Sequence, residues 1–431
     1  MSVLSTPGRR IEAGAAKDKN VYFISLGCPK NLVDSEVMLG LLKTDEYGVV
    51  QNPETADVIV VNTCSFIESS KVESIDTILE MAEYKDTGKC QALVVAGCLP
   101  QRYKELLKKE LPEVDAFVGK ISLNQSSQRF PITPKHFAYL KICEGCVNNC
   151  SFCIIPQIKG KFVSLKVSSI LQEVAEFNRQ RLSELNIIGQ DISGYGLGLE
   201  GKEDLASLIR RVAKIADKIH WIRLLYLNPS RITDRLLAVI RDEPKVCKYI
   251  DIPIQHINSR VLKSMNRRIN KNEIVEIITK IRKTIPGVVL RTSIIVGFPG
   301  ETEKEFNELV QFIKEIKFER LGAFAYSREE GTAAYNFKAQ VPERIKSQRL
   351  DLIMTTQRDV SKSVNDKLLG KTLEVLVDEE DNNGYLGRTQ HDAPEVDGLV
   401  YINSRKKLLP GDFVKVNIND TLEYDLVGEV E

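Results

Sequence analysis

Hydrophobic and polar positions change rhythm three times along the chain. From residue 21, apolar runs alternate with stretches of helical period: 21–27, 57–62 and 92–96 read as buried strands, 33–42 and 66–84 as helices. Such alternation predicts a small parallel sheet, because parallel strands need helical crossovers and are covered on both faces. A longer series follows strand 137–142: helix 167–181, strand 184–189, helix 204–216, strand 221–227, helix 233–241, strand 249–254, helices within 259–283, strand 288–296, helix 303–316 and strand 320–326. Six strands are too few for a closed eight-stranded barrel. A helix over 342–369 opens on Pro342 and stops at Gly370, the usual asymmetry of helix ends, and predicts a linker. Beyond it the strands shorten to 372–377, 385–388, 399–402, 413–418 and 425–429, broken by Gly, Asn and Pro, which predicts a five-stranded β-barrel. Residues 1–20 are polar and small and predict a disordered leader. The expected fold class is α/β, with domains at 21–130, 134–369 and 370–431.

Composition changes this picture little. A chain of 431 residues has room for two or three domains, and 43% hydrophobic with 28% charged residues is ordinary for soluble protein. No apolar run approaches the roughly 20 residues that span a bilayer, and the first residues lack a signal-peptide core. A cytoplasmic protein is expected. Its nine cysteines then read as ligands or inert core residues rather than disulfides.

The cysteines carry the candidate chemistry. Cys146, Cys150 and Cys153 stand at Cys-x3-Cys-x2-Cys spacing in a loop after strand 137–142. A 4Fe-4S cluster devoted to electron transfer takes four cysteines, so three leave one iron open to a small molecule. Zinc calls for paired Cys-x2-Cys elements or nearby His, and here the further candidate is Cys143 alone. Cys28, Cys64 and Cys98 each follow a predicted strand, the place where open α/β sheets bind ligands. Small apolar residues at strand ends are the alternative reading of those three. Cys90 and Cys247 read as structural thiols, and Trp221 as core.

With Phe152 ahead of the third cysteine, the loop resembles that of the radical S-adenosylmethionine (SAM) enzymes. The resemblance implies that the open iron binds the amino and carboxylate groups of SAM, which the reduced cluster cleaves to methionine and a 5′-deoxyadenosyl radical. Leu-Gly-Cys-Pro-Lys-Asn at 26–31, Asn-Thr-Cys at 62–64 and Ala-Gly-Cys-Leu-Pro-Gln-Arg-Tyr at 96–103 resemble the signatures of the methylthiotransferases, and this likeness covers nearly the whole chain. It implies a second, auxiliary 4Fe-4S cluster on Cys28, Cys64 and Cys98, a partial (β/α)6 barrel with its site at the strand carboxyl ends, and a carboxyl-terminal TRAM domain. By the same resemblance Gln190 and Asp191 contact SAM, as do Arg291, Gly297 and Glu301 in the stretch 291–301. A loop cap is the alternative reading of the first pair, and a strand-to-helix turn that of the glycines. Gly196, Gly198 and Gly201 spell G-x-G-x-x-G, but the polar segment 190–195 separates them from the strand, so they read as a flexible loop.

Ile-Pro-Ile-Gln-His-Ile-Asn at 252–258, Tyr-Leu-Asn-Pro-Ser-Arg at 226–231 and the stretch 387–398 resemble the branch that modifies an aspartate of small-subunit ribosomal protein twelve. His256 marks that branch, with a backbone-bonded loop histidine as the alternative. The tail agrees: residues 371–431 hold fourteen Asp or Glu against six Lys or Arg, an excess of eight negative charges. Such a barrel repels phosphates and attracts a basic protein. The implied partners are that ribosomal protein, on the ribosome or an assembly intermediate, an electron donor of flavodoxin or ferredoxin type and a sulfur donor. Neither a membrane nor direct nucleic-acid binding is expected. Two other readings stay open: a tRNA adenosine methylthiotransferase, which a basic tail would favour, and a non-enzymatic iron-sulfur carrier, against which two open clusters argue.

Overall fold

The computed structural model describes residues 19–44, 47–120 and 129–431, so the expected leader falls almost wholly outside the described residues. Parallel strands β1 (Lys19–Ser25), β2 (Tyr47–Val49), β3 (Val58–Thr63), β4 (Ala92–Gly97) and β5 (Ala116–Val118) form one sheet in the order β2-β1-β3-β4-β5. The Val-rich β3 and β4 are buried as the continuous apolar runs of a parallel sheet should be. Helices α1 (Pro29–Thr44), α2 (Glu68–Ala82), α3 (Tyr84–Thr87) and α4 (Cys98–Glu110) connect the strands. Residues 31–40 of α1 are all buried, Asp34, Ser35 and Glu36 among them, because the helix lies between this sheet and the next domain.

Strand β6 (Phe137–Lys141) opens that domain. The cysteine loop follows, pinned by the hairpin β7 (Cys143–Glu144) with β8 (Val163–Ser164), and it contains the short helix α5 (Ile155–Lys159). Strands β9 (Glu184–Ile188), β10 (Trp221–Leu224), β11 (Tyr249–Asp251), β12 (Val289–Val296) and β13 (Arg320–Ala325) continue the parallel series. They form two sheets, β6-β9-β10 and β11-β12-β13, joined where Ile222 pairs with Val246 and Leu227 N donates to Asp251 O at 2.9 Å. The arc is the partial (β/α)6 barrel expected.

Outside it lie α6 (Val167–Arg179), α7 (Leu205–Ile215), α8 (Asp234–Asp242), α9 (Ser259–Ser264), α10 (Lys271–Thr284) and α11 (Glu303–Ile316). Their starts follow from capping: Asn270 with Glu273, and Thr302 with Glu305, form reciprocal capping boxes. The helices expected within 259–283 are α9 and α10, parted where Asn266 takes a left-handed φ of 55°. Helix α12 (Glu343–Asn365) covers β13 and α11, and Gln357 Nε2 donates to Phe318 O at 2.9 Å.

The tail closes as a barrel, β14 (Thr372–Asp381), β15 (Gly384–Thr389), β16 (Val400–Asn403), β17 (Phe413–Thr421) and β18 (Leu426–Val430), in the order β14-β15-β16-β18-β17. It does not hang free on its linker. Its segment 390–397 fills the floor of the larger barrel, at the amino-terminal ends of the parallel strands. Glu184, the first residue of β9, receives Arg223 and Arg388, each at 2.7 Å. Asp392 takes Arg320 at 2.6 Å, and Asp397 takes the Tyr249 hydroxyl at 2.6 Å and Arg291 at 3.3 Å. Trp221 meets Phe413 edge to face at 4.9 Å between centroids. Part of the tail's acid excess is thus spent inside the molecule.

Candidate functional site

Cys28, Cys64 and Cys98 follow β1, β3 and β4, three neighbouring strands, so the sheet brings them to one edge. Gly27 (φ +85°) and Gly97 (φ +94°) precede two of them in a backbone conformation that side chains resist. A Cβ on Gly27 would stand 2.6 Å from Cys64 Cβ and 2.9 Å from its Sγ, which measures how closely these loops approach. A buried polar net fixes the strand ends: Asn31 Nδ2 donates to Leu26 O at 2.7 Å, and Asn62 Nδ2 to Ser35 Oγ at 2.8 Å and Asn31 O at 3.0 Å. Ser74 Oγ bridges Cys64 N and O. Beside the thiols, Asn31 Oδ1, Asn62 Oδ1 and Ser65 Oγ are buried without a hydrogen-bond partner among the described residues.

The second set lies in the loop between β7 and α5. Cys153 N donates to Cys150 O at 3.1 Å, which folds the loop back on itself. Asn148 donates to Cys146 Sγ through its backbone N at 3.5 Å and its Nδ2 at 3.3 Å, and Arg267 Nη1 lies 3.8 Å from Cys150 Sγ. Donors aimed at sulfur suit thiolates that carry a cluster's negative charge. Burial pushes the thiols of Cys98 and Cys153 up to about 12, so neither ionises unaided. Metal ligation, which requires thiolate, would supply that deprotonation. Among the described residues no three His, Cys, Asp or Glu side chains gather as a single-ion site. Cys143 is fully buried, and its Sγ turns to Asp191 O at 3.7 Å. Cys90 and Cys247 are buried in other core clusters.

The two sets meet. Cys98 packs with Ile154 and Ile158, and Ile154 is the residue after Cys153. A buried ion cluster bolts this junction: Asp34 of α1 receives Lys141 and, at 2.9 Å, Lys159, while Lys141 reaches Glu144 at 2.7 Å. Burial alone would raise the Asp34 carboxyl, but the two ammonium groups outweigh it and hold it below the ordinary range. Farther out, Arg102 of α4 pairs with the buried Glu329 at 2.8 Å.

The residues expected around SAM divide. Gln190 Nε2 donates to Glu144 at 3.0 Å while its buried Oε1 lacks a partner among the described residues. Asp191 caps the turn at Ser193 and receives Asn148 at 2.7 Å and Arg231 at 2.9 Å, which ties it to the cysteine loop. These two stand beside the second cysteine set. Arg291, by contrast, is held by Asp251 and Asp397 near the floor. Glu301 accepts from Gly297 N at 2.9 Å and Arg349 at 2.9 Å, and a Cβ on Gly297 would enter the Lys346 side chain. That stretch is occupied with backbone and with α12. Burial, opposed by Arg349, pushes the Glu301 carboxyl up to about 7. His256 is fully buried, accepts from Asn258 N at 3.0 Å and is pushed down to about 4 by burial, so the backbone-bonded reading describes it. Gly196 N donates to Ser164 Oγ at 3.1 Å, and α7 starts only at Leu205, so the G-x-G-x-x-G stretch is a loop.

Two residues past the carboxyl ends of barrel strands, the mouth of the barrel, stand out by their backbone. Tyr226 and Gln255, just past β10 and β11, have φ of 66° and 71° without being glycine. Such strain collects at functional sites. The Lys30 ammonium of α1 lies over the Tyr226 ring, 3.1 Å from its centroid.

Comparison with known proteins completes the assignment. Residues 20–119 match the uncharacterized protein family UPF0004, 140–313 the radical SAM superfamily and 369–430 the TRAM domain. The chain is 48% identical to the ribosomal protein uS12 methylthiotransferase RimO of Clostridioides difficile, over 94% of this chain and 97% of that protein. It belongs to the RimO family. The RimO of Citrifermentans bemidjiense is 46% identical over 96% and 98% of the two chains. Among solved structures, the radical SAM methyltransferase TsrM of Kitasatospora setae aligns with a TM-score of 0.53 at 11% identity, over 82% of this chain and 79% of that one, a likeness of fold. Within the RimO family frame, the three matched segments fall on the parallel sheet, the partial barrel and the closed barrel described above.

Proposed function

We propose that this chain is a radical SAM methylthiotransferase that places a methylthio group on the β-carbon of an aspartate in ribosomal protein uS12, giving 3-methylthioaspartate. One observation carries the reading: Cys98 of one three-cysteine set packs against Ile154, the residue after Cys153 of the other. Cys146, Cys150 and Cys153 would hold one 4Fe-4S cluster, and Cys28, Cys64 and Cys98 the other. When bound, these clusters supply the electron that cleaves SAM and a place for the transferred sulfur. The chain's own residues hold and shield the pair. Asn148 and Arg267 direct N–H groups at the loop sulfurs, and Asp191 anchors Asn148. Ile154 and Ile158 keep water from the junction. Glu379, Glu380 and Asp381 keep an exposed acidic face on the tail, suited to a basic ribosomal protein. An electron donor of flavodoxin or ferredoxin type and a sulfur donor complete the cycle. Among the described residues no helix is long and apolar enough to cross a membrane.

Reconstituted protein given SAM and reductant tests this directly, with uS12 and tRNA offered side by side. Methylthio mass on uS12 is the expected result; mass on tRNA alone would overturn the substrate, and absence of 5′-deoxyadenosine the chemistry.

A further inference from the structure

An enzyme acting on aspartate must receive a carboxylate, and several of the buried or half-buried cations around the junction are already engaged. Arg231 is bound to Asp191 and Asn148, and Arg291 to Asp251 and Asp397. Lys141 and Lys159 share Asp34 and Glu144. Lys30 differs. Among the described residues its ammonium has no hydrogen bond or ion pair, and its contact is the face of Tyr226. An ammonium carries three donors, so one that rests on a ring keeps capacity for an incoming anion.

Its placement fits that anion. Lys30 lies in the first turn of α1, two residues after Cys28. Tyr226 accepts Ile192 N at 3.2 Å, and so touches the turn that Asp191 ties to the cysteine loop. The Lys30–Tyr226 pair therefore spans from one cysteine set to the surroundings of the other. Tyr226 is held there in left-handed backbone, with its N–H donated to Asp251 Oδ2 at 2.9 Å. Both residues are half-buried, open enough to meet a side chain entering the mouth.

We infer that the Lys30 ammonium, steadied on the Tyr226 ring, receives the side-chain carboxylate of the substrate aspartate. This rests on the reading of uS12 as substrate. The carboxylate is bonded directly to the carbon that accepts the methylthio group, so holding it fixes the reacting atom one bond away. Lys30 is thereby a specificity-determining residue, and a neutral side chain of the same shape is refused for want of charge.

The test compares binding of uS12 with binding of its variant carrying Asn in place of the modified aspartate, using the reconstituted full chain. Wild-type enzyme is expected to bind the aspartate form about tenfold or more tightly than the Asn form, the worth of one charge-assisted hydrogen bond. Lys30→Met is expected to bind both forms alike with unchanged iron content, and Lys30→Arg to keep the preference. Equal binding of the two forms by wild type, or a preference surviving in Lys30→Met, overturns the inference. Should Lys30→Met lose iron, the wild-type and Lys30→Arg comparisons still decide it. Wild-type enzyme leaving no methylthio mass on uS12 would instead overturn the substrate reading, in a separate measurement.

Discussion

Gly97 shows how a single residue shapes the site. A Cβ there would press on Asn62 Oδ1 and stand 2.7 Å from Thr63 O, at a φ of 94° that alanine resists. Gly97→Ala is therefore expected to displace Cys98 and lower bound iron to about one cluster per chain, read by iron and acid-labile sulfide analysis. Cys28→Ala should give the same count; a full two-cluster complement would remove Cys28 from the site. His256 makes a pH prediction. Burial holds it near 4, whereas in the unfolded chain it titrates near the ordinary 6.5. As pH falls below 6.5 the unfolded chain takes a proton that the folded chain refuses, so stability drops with falling pH until the folded value is reached. His256→Asn removes this loss. Urea unfolding of the iron-free chain should show the wild type losing about 2 kcal/mol relative to His256→Asn between pH 6.5 and 5. At this scale the cysteines were legible, since thiols past strand ends announce themselves by spacing. Arg291 and Glu301 were expected to contact SAM; their partners here, Asp397 and Arg349, are distant in sequence and no local pattern reveals them.

Elements were legible in proportion to their length. The long apolar runs of β3, β4 and β12 and the periodic α11 follow the sequence closely. Strands β2 and β5, three residues each, are too short for a period to show, and α4 begins on a cysteine with Pro100 in its first turn, which hid it. The function of the 390–397 loop was hidden for another reason: its acids look like solvated charge until Arg320 and Arg291 are placed opposite them. Asp392 is buried, with Arg320 against it at 2.6 Å and Thr389 bonded to it at 2.6 Å. Removing one partner of a buried pair leaves the other charge uncompensated, so Asp392→Ala is expected to cost about 3–5 kcal/mol in chemical unfolding. Asp381→Ala, at an exposed position, should stay within about 0.5 kcal/mol.

Across the whole molecule three domains share one interior. Tyr139, Trp221, Val21, Leu39, Leu376 and Ala393 belong to a single buried cluster that draws on all of them. Buried charges repeat the pattern, with Asp34 of the first domain set on Lys141 and Lys159 of the second. A chain ending at residue 369 would expose Trp221 and leave Arg320 without its carboxylate. It is expected to aggregate or elute as large species in gel filtration, where the full chain elutes as a compact particle. The net charge of the tail, a sum over residues, could not tell which acids face inward.

The plugged floor also bears on how such proteins can be rebuilt. Three segments match three separate families, which invites the exchange of tails between enzymes as interchangeable parts. A chimaera made that way would inherit Arg291 and Arg320 from one parent and lack the loop carboxylates that face them. Grafts that carry 390–397 along with the recipient barrel should survive, and grafts cut at the linker helix should not. The heritable unit here is a joint, and it crosses the boundary that the families draw.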